Sequence, residues 1–213
     1  MIKVRRFVCN MLQENAYVVS DESSEAVVID CGALYDVERN AIIRYIKDNK
    51  LKPVHLLCTH GHFDHVIGND TITREFGLKP EVAAEDEHLM DLKKQLKDMM
   101  GMDYDNEVPP TGRLLTADDT ISFGTHSITI LPTPGHTPGS VTFYLETEQV
   151  AFTGDTLFKM SIGRTDFEGG SWADMTNSLI NVLAKLPANT KVYPGHGEPT
   201  TIGDELRYNP YMR

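Results

Sequence analysis

The sequence predicts a mixed α/β fold in which two β-sheets pack together and helices cover them. Ten short runs rich in β-branched or aromatic residues end mostly at turn signals, as strands do. Four longer stretches carry apolar residues at helical spacing. The helical stretches fall between blocks of strands, which calls for sheets packed on each other with helices outside them.

The first block of strands is IKVRRFVC (2–9), AYVVS (16–20) and AVVID (26–30). A helix over 35–49 follows, with Val37, Ala41, Ile42, Tyr45 and Ile46 at helical spacing. VHLLC (54–58) is a strand, 64–76 a helix and PEVAA (80–84) a strand. Over 86–100 a further helix places Leu89, Leu92, Leu96 and Met99 on one face. Met100-Gly101-Met102, an acidic loop and Pro109-Pro110 come next. This 86–110 segment either packs its stripe on the core or forms an adaptable wall over a site, as Met-rich surfaces do. The second block is TISF (120–123), HSITILPT (126–133), SVTFYLE (140–146) and QVAFTG (149–154). A helix over 172–186, built on Met175, Leu179, Val182, Leu183 and Leu186, leads to the last strand, KVYPG (191–195).

A chain of 213 residues is expected to form one domain, 1–213, with a full core. Its 40% hydrophobic and 24% charged residues are those of an ordinary globular protein. The net charge of -11 argues against nucleic acid as a partner, which calls for a basic stripe. No apolar run is long enough to span a bilayer or to follow the N-terminal charges as a signal peptide. Cys9, Cys31 and Cys58 are far apart and odd in number, which reads as small buried residues in a reduced, cytoplasmic setting. The sequence leaves the oligomeric state unread.

Chemistry concentrates in Thr59-His60-Gly61-His62-Phe63-Asp64-His65, directly after an apolar run. A buried strand would deliver these side chains to a turn at its C-terminal end, with Gly61 allowing a tight path between two histidines. Imidazole with carboxylate suits zinc, and also iron or manganese. Three more strand-end motifs follow the same design: Pro134-Gly135-His136-Thr137-Pro138-Gly139-Ser140, Phe152-Thr153-Gly154-Asp155-Thr156-Leu157-Phe158 and Tyr193-Pro194-Gly195-His196-Gly197. Asp30, before Cys31-Gly32, either orients a metal-binding histidine from behind or forms a turn. His55, His88 and His126 match no ligand motif and read as structural or surface residues.

HxHxDH, GHTPGS, FTGDTLF and YPGHG together resemble the metallo-β-lactamase superfamily, in its glyoxalase II-like branch. The likeness runs from about residue 2 to about 206. It implies a four-layer αβ/βα sandwich with a metal site along one edge of the sheets. It also implies two divalent metal ions, zinc foremost: one on His60, His62 and His136, the second on Asp64, His65 and His196, with Asp155 bridging. Water shared by two such ions is acidic enough to attack an acyl carbon near neutral pH. Asp64 and Asp155 would set the metal charge and orient that nucleophile. A thiolate, with a pKa near about 8.5, leaves with little proton assistance, so the substrate class implied is a small-molecule thioester.

In that family a basic residue follows the aspartate motif and holds the substrate's carboxylate. Arg164, in Gly163-Arg164-Thr165-Asp166, matches it and can bind a carboxylate in two-pronged fashion; the alternative is an ion pair with Asp166. Asp166 stands where the larger enzymes place a glutathione-contacting Tyr, and those enzymes add a C-terminal helical domain. A chain running only to Arg213 more nearly resembles the small, single-domain hydroxyacylglutathione hydrolase-like members. Competing readings are a persulfide dioxygenase with one iron on His60, His136 and Asp155, a lactonase or nuclease of the same superfamily, and a non-catalytic binding protein. The intact Gly195-His196-Gly197 loop looks more like a hydrolase.

Overall fold

The computed structural model describes residues 1–212. The first sheet runs β1 (Lys3–Cys9), β2 (Glu14–Ser20), β3 (Glu25–Ile29), β4 (Lys52–Leu57), β5 (Pro80–Ala83) and β6 (Arg113–Leu115), side by side in that order. β1 to β3 are antiparallel neighbours, and β3 to β6 are parallel. The second sheet contains β7 (Thr120–Phe123), β8 (His126–Pro132), β9 (Val141–Leu145) and β10 (Val150–Gly154). A small ribbon, β11 (Leu157–Phe158) with β12 (Ser161–Ile162), precedes β13 (Lys191–Pro194) and β14 (Thr200–Thr201). These complete the second sheet in the order β14-β13-β10-β9-β8-β7.

β2 and β3 are apolar on both faces, and the packing explains why. Tyr17, Val19, Val27 and Ile29 meet Phe123, Ile128, Phe143 and Phe152 of the second sheet. On the opposite face Ala16, Val18, Ala26 and Val28 pack with Ile42 and Ile46 of α1 (Asp36–Asp48) and Ile72 of α3 (Asn69–Phe76). Strands covered on both sides read as continuous apolar runs. Outside the second sheet, Val192 and Leu157 pack with Met175 of α5 (Trp172–Asn177), Leu179 and Leu183 just after it, and Ile202 of α6 (Ile202–Tyr208). Helices, sheet, sheet and helices give the four-layer αβ/βα sandwich. No helix among the described residues is long and apolar enough to cross a membrane.

Three expected helices differ in detail. The 64–76 helix is two, α2 (Phe63–Val66) and α3, because Gly68 leaves the helical ladder to bond through its N–H to the Cys31 carbonyl at 2.8 Å. The 86–100 helix begins as a 3₁₀ stretch, Ala84–Met90, and restarts as α4 (Leu92–Met100) where the Asp91 side chain accepts from the Lys94 N–H. The 172–186 helix loosens after α5 into a π turn and a 3₁₀ turn, which still bury Leu179 and Leu183. β6, β11, β12, β14 and α6 were not expected; the strands among them are two or three residues long, too short for a period.

Candidate metal centre

One edge of the sandwich collects the motifs. β3 and β4 run parallel, so Asp30 and Thr59 emerge on the same rim. β10 and β13 run parallel in the other sheet and deliver Asp155 and His196 there. The loop from β8 to β9 carries His136 over the rim, held to the β4 loop by Val141 N–H donating to the Thr59 carbonyl at 2.9 Å. The N-terminal end of β2 joins them: Asn15 N–H donates to the Gly195 carbonyl at 2.7 Å.

All seven expected donors converge here. Donor atoms of His60, His62 and His136 lie within 4.8 Å of one another, and so do those of Asp64, His65 and His196. Asp155 stands between the sets: one oxygen is 3.4 Å from His136 Nε2, and the other is 3.3 Å from His65 Nε2 and 3.7 Å from His196 Nε2. Asp64 Oδ2 is 3.3 Å from His196 Nε2 and 3.6 Å from His65 Nε2. Six of the seven are buried, and His196 faces the opening with 24% of its side chain exposed. Gly195 is needed for this closeness, since a Cβ there would sit 2.4 Å from Asp155 Oδ1. Gly61 serves a different end from the one expected. Its φ is not positive, but a Cβ would stand 2.6 Å from Leu89 Cβ, so it admits the 84–90 turn against the loop.

Four imidazoles are held from behind through Nδ1, which turns Nε2 of each toward the centre. His136 Nδ1 donates to the Arg164 carbonyl at 2.7 Å and His196 Nδ1 to the Leu12 carbonyl at 3.0 Å. His65 Nδ1 donates to Asp30 Oδ2 at 3.0 Å. The Thr59 hydroxyl gives its proton to Asp30 at 2.8 Å, which leaves it to accept from His60 Nδ1 at 3.1 Å. Metal-binding histidines are held in this way. His60 Nε2, His65 Nε2 and Asp155 Oδ1 are buried without a hydrogen-bond partner, a costly state that a cation relieves. The donor set therefore fits divalent metal.

Electrostatics split the cluster. Burial and the neighbouring imidazoles push His60 well below the usual histidine range; burial and His136 bring His62 down to about 4. Burial opposes charge on His65, but Asp64 and Asp155 outweigh it and hold His65 well above that range. Burial pushes Asp64 and Asp155 up, but His65 outweighs it and keeps both below the usual carboxylate range.

Asp30 takes the orienting role, binding Thr59 N–H at 2.7 Å as well as His65. Its φ of 48° is a left-handed conformation that Asp tolerates better than most residues. Two buried acids went unread in the sequence. Asp86 accepts from Gly61 N–H at 3.0 Å, Thr137 Oγ1 at 2.7 Å and Gly139 N–H at 2.7 Å, so it ties the His60–His62 loop to the His136 loop. Glu14, fully buried and without a hydrogen bond, lies 4.0 Å from His65 Nδ1, and burial raises its pKa well above the carboxylate range. The one signal was position: Glu14 is a charged residue opening an apolar strand, and Asp86 sits inside the run Glu85-Asp86-Glu87.

Outside the ligand set, His55 binds Glu81 and His126 binds Glu148, each at 2.6 Å, as structural histidines do. The three cysteines are free and buried, and burial raises all three thiols, Cys31 to about 12. Arg164 forms the ion pair that the sequence offered as an alternative: its Nε and Nη2 each reach an Asp166 oxygen at 2.7 Å. Its guanidinium also lies 4.0 Å from the Phe167 ring centroid, and that ring packs on His62. The 86–110 segment packs its stripe on the core and also lines a cleft. Leu92 and Leu96 are buried, while Lys94, Asp98 and Met99 wall a cleft of about 360 Å³ that opens beside His62.

The sequence model of the metallo-beta-lactamase superfamily matches residues 9–196. The probable metallo-hydrolase YqgX of Bacillus subtilis is 32% identical, over 99% of this chain and 98% of its own length. The hydroxyacylglutathione hydrolase GloC of Haemophilus influenzae is 32% identical, over 94% and 93%. Among solved structures, the B3 metallo-beta-lactamase BLEG-1 superposes with a TM-score of 0.87 at 34% identity, covering 100% of this chain and 99% of its own. TTHA1623 in a di-iron-bound form gives 0.85 at 33%, covering 98% and 100%.

Proposed function

Since the chain belongs to the metallo-beta-lactamase superfamily, we propose that it is a metal-dependent hydrolase cleaving acyl thioesters, hydroxyacyl-glutathione or a related acyl thiol. The observation that carries the two-metal part is the pair of donor sets that Asp155 joins, with four imidazoles oriented from behind. His60, His62 and His136 would hold one cation, and Asp64, His65 and His196 the other. Zinc suits these donors first, and iron or manganese also fit; the di-iron TTHA1623 neighbour supports counting iron. Such a pair supplies an acidified water and a Lewis acid for the acyl oxygen.

The chain's own part is positioning. Asp64 and Asp155 accept hydrogen bonds from the attacking water and aim its lone pair at the acyl carbon. The water oxygen bonds to that carbon, the C–S bond breaks and its electron pair leaves on sulfur. At neutral pH the acid product is ionised and the thiol, with a pKa near about 8.5, is mostly protonated, so each turnover releases about one proton. Arg164, held by Asp166, is placed to fix the loop whose carbonyl orients His136.

A one-iron dioxygenase would need only His60, His136 and Asp155. The complete second set, Asp64, His65 and His196, speaks for hydrolysis. The test is metal content together with turnover of S-lactoyl-glutathione and other acyl thiols. Two metals per chain and thiol release that stops with chelator and returns with metal are expected. One iron per chain with oxygen uptake on glutathione persulfide would replace this reading.

A further inference from the structure

The cleft beside His62 has unbalanced charge. Among the described residues that line it are three carboxylates, Asp91, Asp98 and Glu168, and one ammonium, Lys94; the other titratable groups are His88 and His62 itself. The ammonium is already engaged, with Nζ 2.5 Å from Asp98 Oδ2. Asp98, then Glu168 and Asp91 at longer range, hold the Lys94 pKa above the usual lysine range, so it stays charged. Arg164, on the Phe167 side, is closed off in the same way by Asp166. From the lining side chains alone, apart from a cation held by His62, an incoming carboxylate therefore meets excess negative charge and no unpaired cation. Leu89, Met99 and Phe167 provide the apolar surface of the cleft. The whole-chain charge of -11 acts in the same sense at long range.

Resting on the thioester reading above, we propose that this cleft receives the thiol half of the substrate and selects it by charge. It takes a neutral or cationic carrier thiol in preference to an anionic one. Glutathione, with two carboxylates and one ammonium, stands on the disfavoured side. Every carrier loses the same kind of C–S bond but leaves as a thiolate of different acidity, so selection by charge is read in what salt and the paired substitutions change, and added salt weakens it.

The experiment uses one 2-hydroxyacyl group on four carriers: thiocholine, N-acetylcysteamine, 3-mercaptopropionate and glutathione. The metal-loaded protein is assayed for kcat/KM by loss of thioester absorbance at low and high salt. The expected order is cation, then neutral, then anion, with about tenfold between the first and last, shrinking as salt rises. Asp98→Asn with Glu168→Gln, both exposed positions, should move the anion-to-cation ratio several-fold toward the anion. Turnover of all four carriers at equal rates, or fastest on glutathione, would overturn charge selection and leave thioester hydrolysis standing. Turnover of none would overturn the thioester reading and this inference with it.

Discussion

Asp86 makes no contact with the donor atoms, yet the geometry of the site depends on it. Asp86→Ala removes the acceptor of two buried backbone N–H groups, Gly61 and Gly139, and of the Thr137 hydroxyl. The hydroxyl keeps the Ser140 oxygen at 2.7 Å, so the cost falls mainly on the two amides. A buried donor left without a partner costs about 1–3 kcal/mol, or about 2–6 kcal/mol for the pair. Burial raises the Asp86 pKa, so part of the native carboxylate's own desolvation cost is recovered when it is removed. A loss of about 3 kcal/mol results. For a chain of this size about 2–4 °C of Tm follows each kcal/mol, which gives a fall of about 6–12 °C. Melting should be followed by circular dichroism on metal-free protein, so that metal loss does not contribute. A metal titration of the same variant should show weaker binding, because His62 and His136 are then no longer held together through Gly61 and Gly139. A melting point within about 2 °C of the parent would show that the two loops are fixed by something other than this carboxylate.

Chelation should lower Tm by several degrees, since a ligand at a hundred times its Kd stabilises by about 2.7 kcal/mol per site; a chelated protein that melts unchanged would rule out a structural share for the cations. Asp155→Ala should reduce bound metal from two per chain to one or fewer and abolish hydrolysis; full occupancy by two metals in that variant would remove its bridging role. His62 is held near about 4, so between pH 6.5 and 4 the unfolded chain takes up a proton that the folded site refuses. Metal-free protein should therefore lose stability as pH falls through that window, and His62→Gln should flatten the slope. An equally steep slope in the variant would assign it to His60, which burial shifts in the same direction.

The strands that carry the site could be read because they are buried on both faces: AYVVS, AVVID and VHLLC appear as apolar runs wherever the sheet lies between helices and its partner sheet. The seven donors could be read because their motifs follow strand ends in Gly-rich surroundings that few other functions require, although Asp64 and His65 fold into the short helix α2. The groups behind the donors were mostly silent. The carbonyls of Leu12 and Arg164 that hold His196 and His136 belong to the backbone and leave no residue-type signal. Asp86 and Glu14 act through contacts across tens of residues that only the packed sheets create. Asp30 was half visible: its place before a turn was plain, but not that its carboxylate reaches both Thr59 and His65. The break at Gly68 was hidden because the apolar spacing continues through it, while the backbone turns aside to meet Cys31.

Anomalous diffraction from a crystal of metal-loaded protein tests the central claim most directly. Two peaks are expected, one among His60, His62 and His136 and one among Asp64, His65 and His196, with an Asp155 oxygen touching each. A single peak on His60, His136 and Asp155, with His196 left uncoordinated at full metal loading, would contradict it.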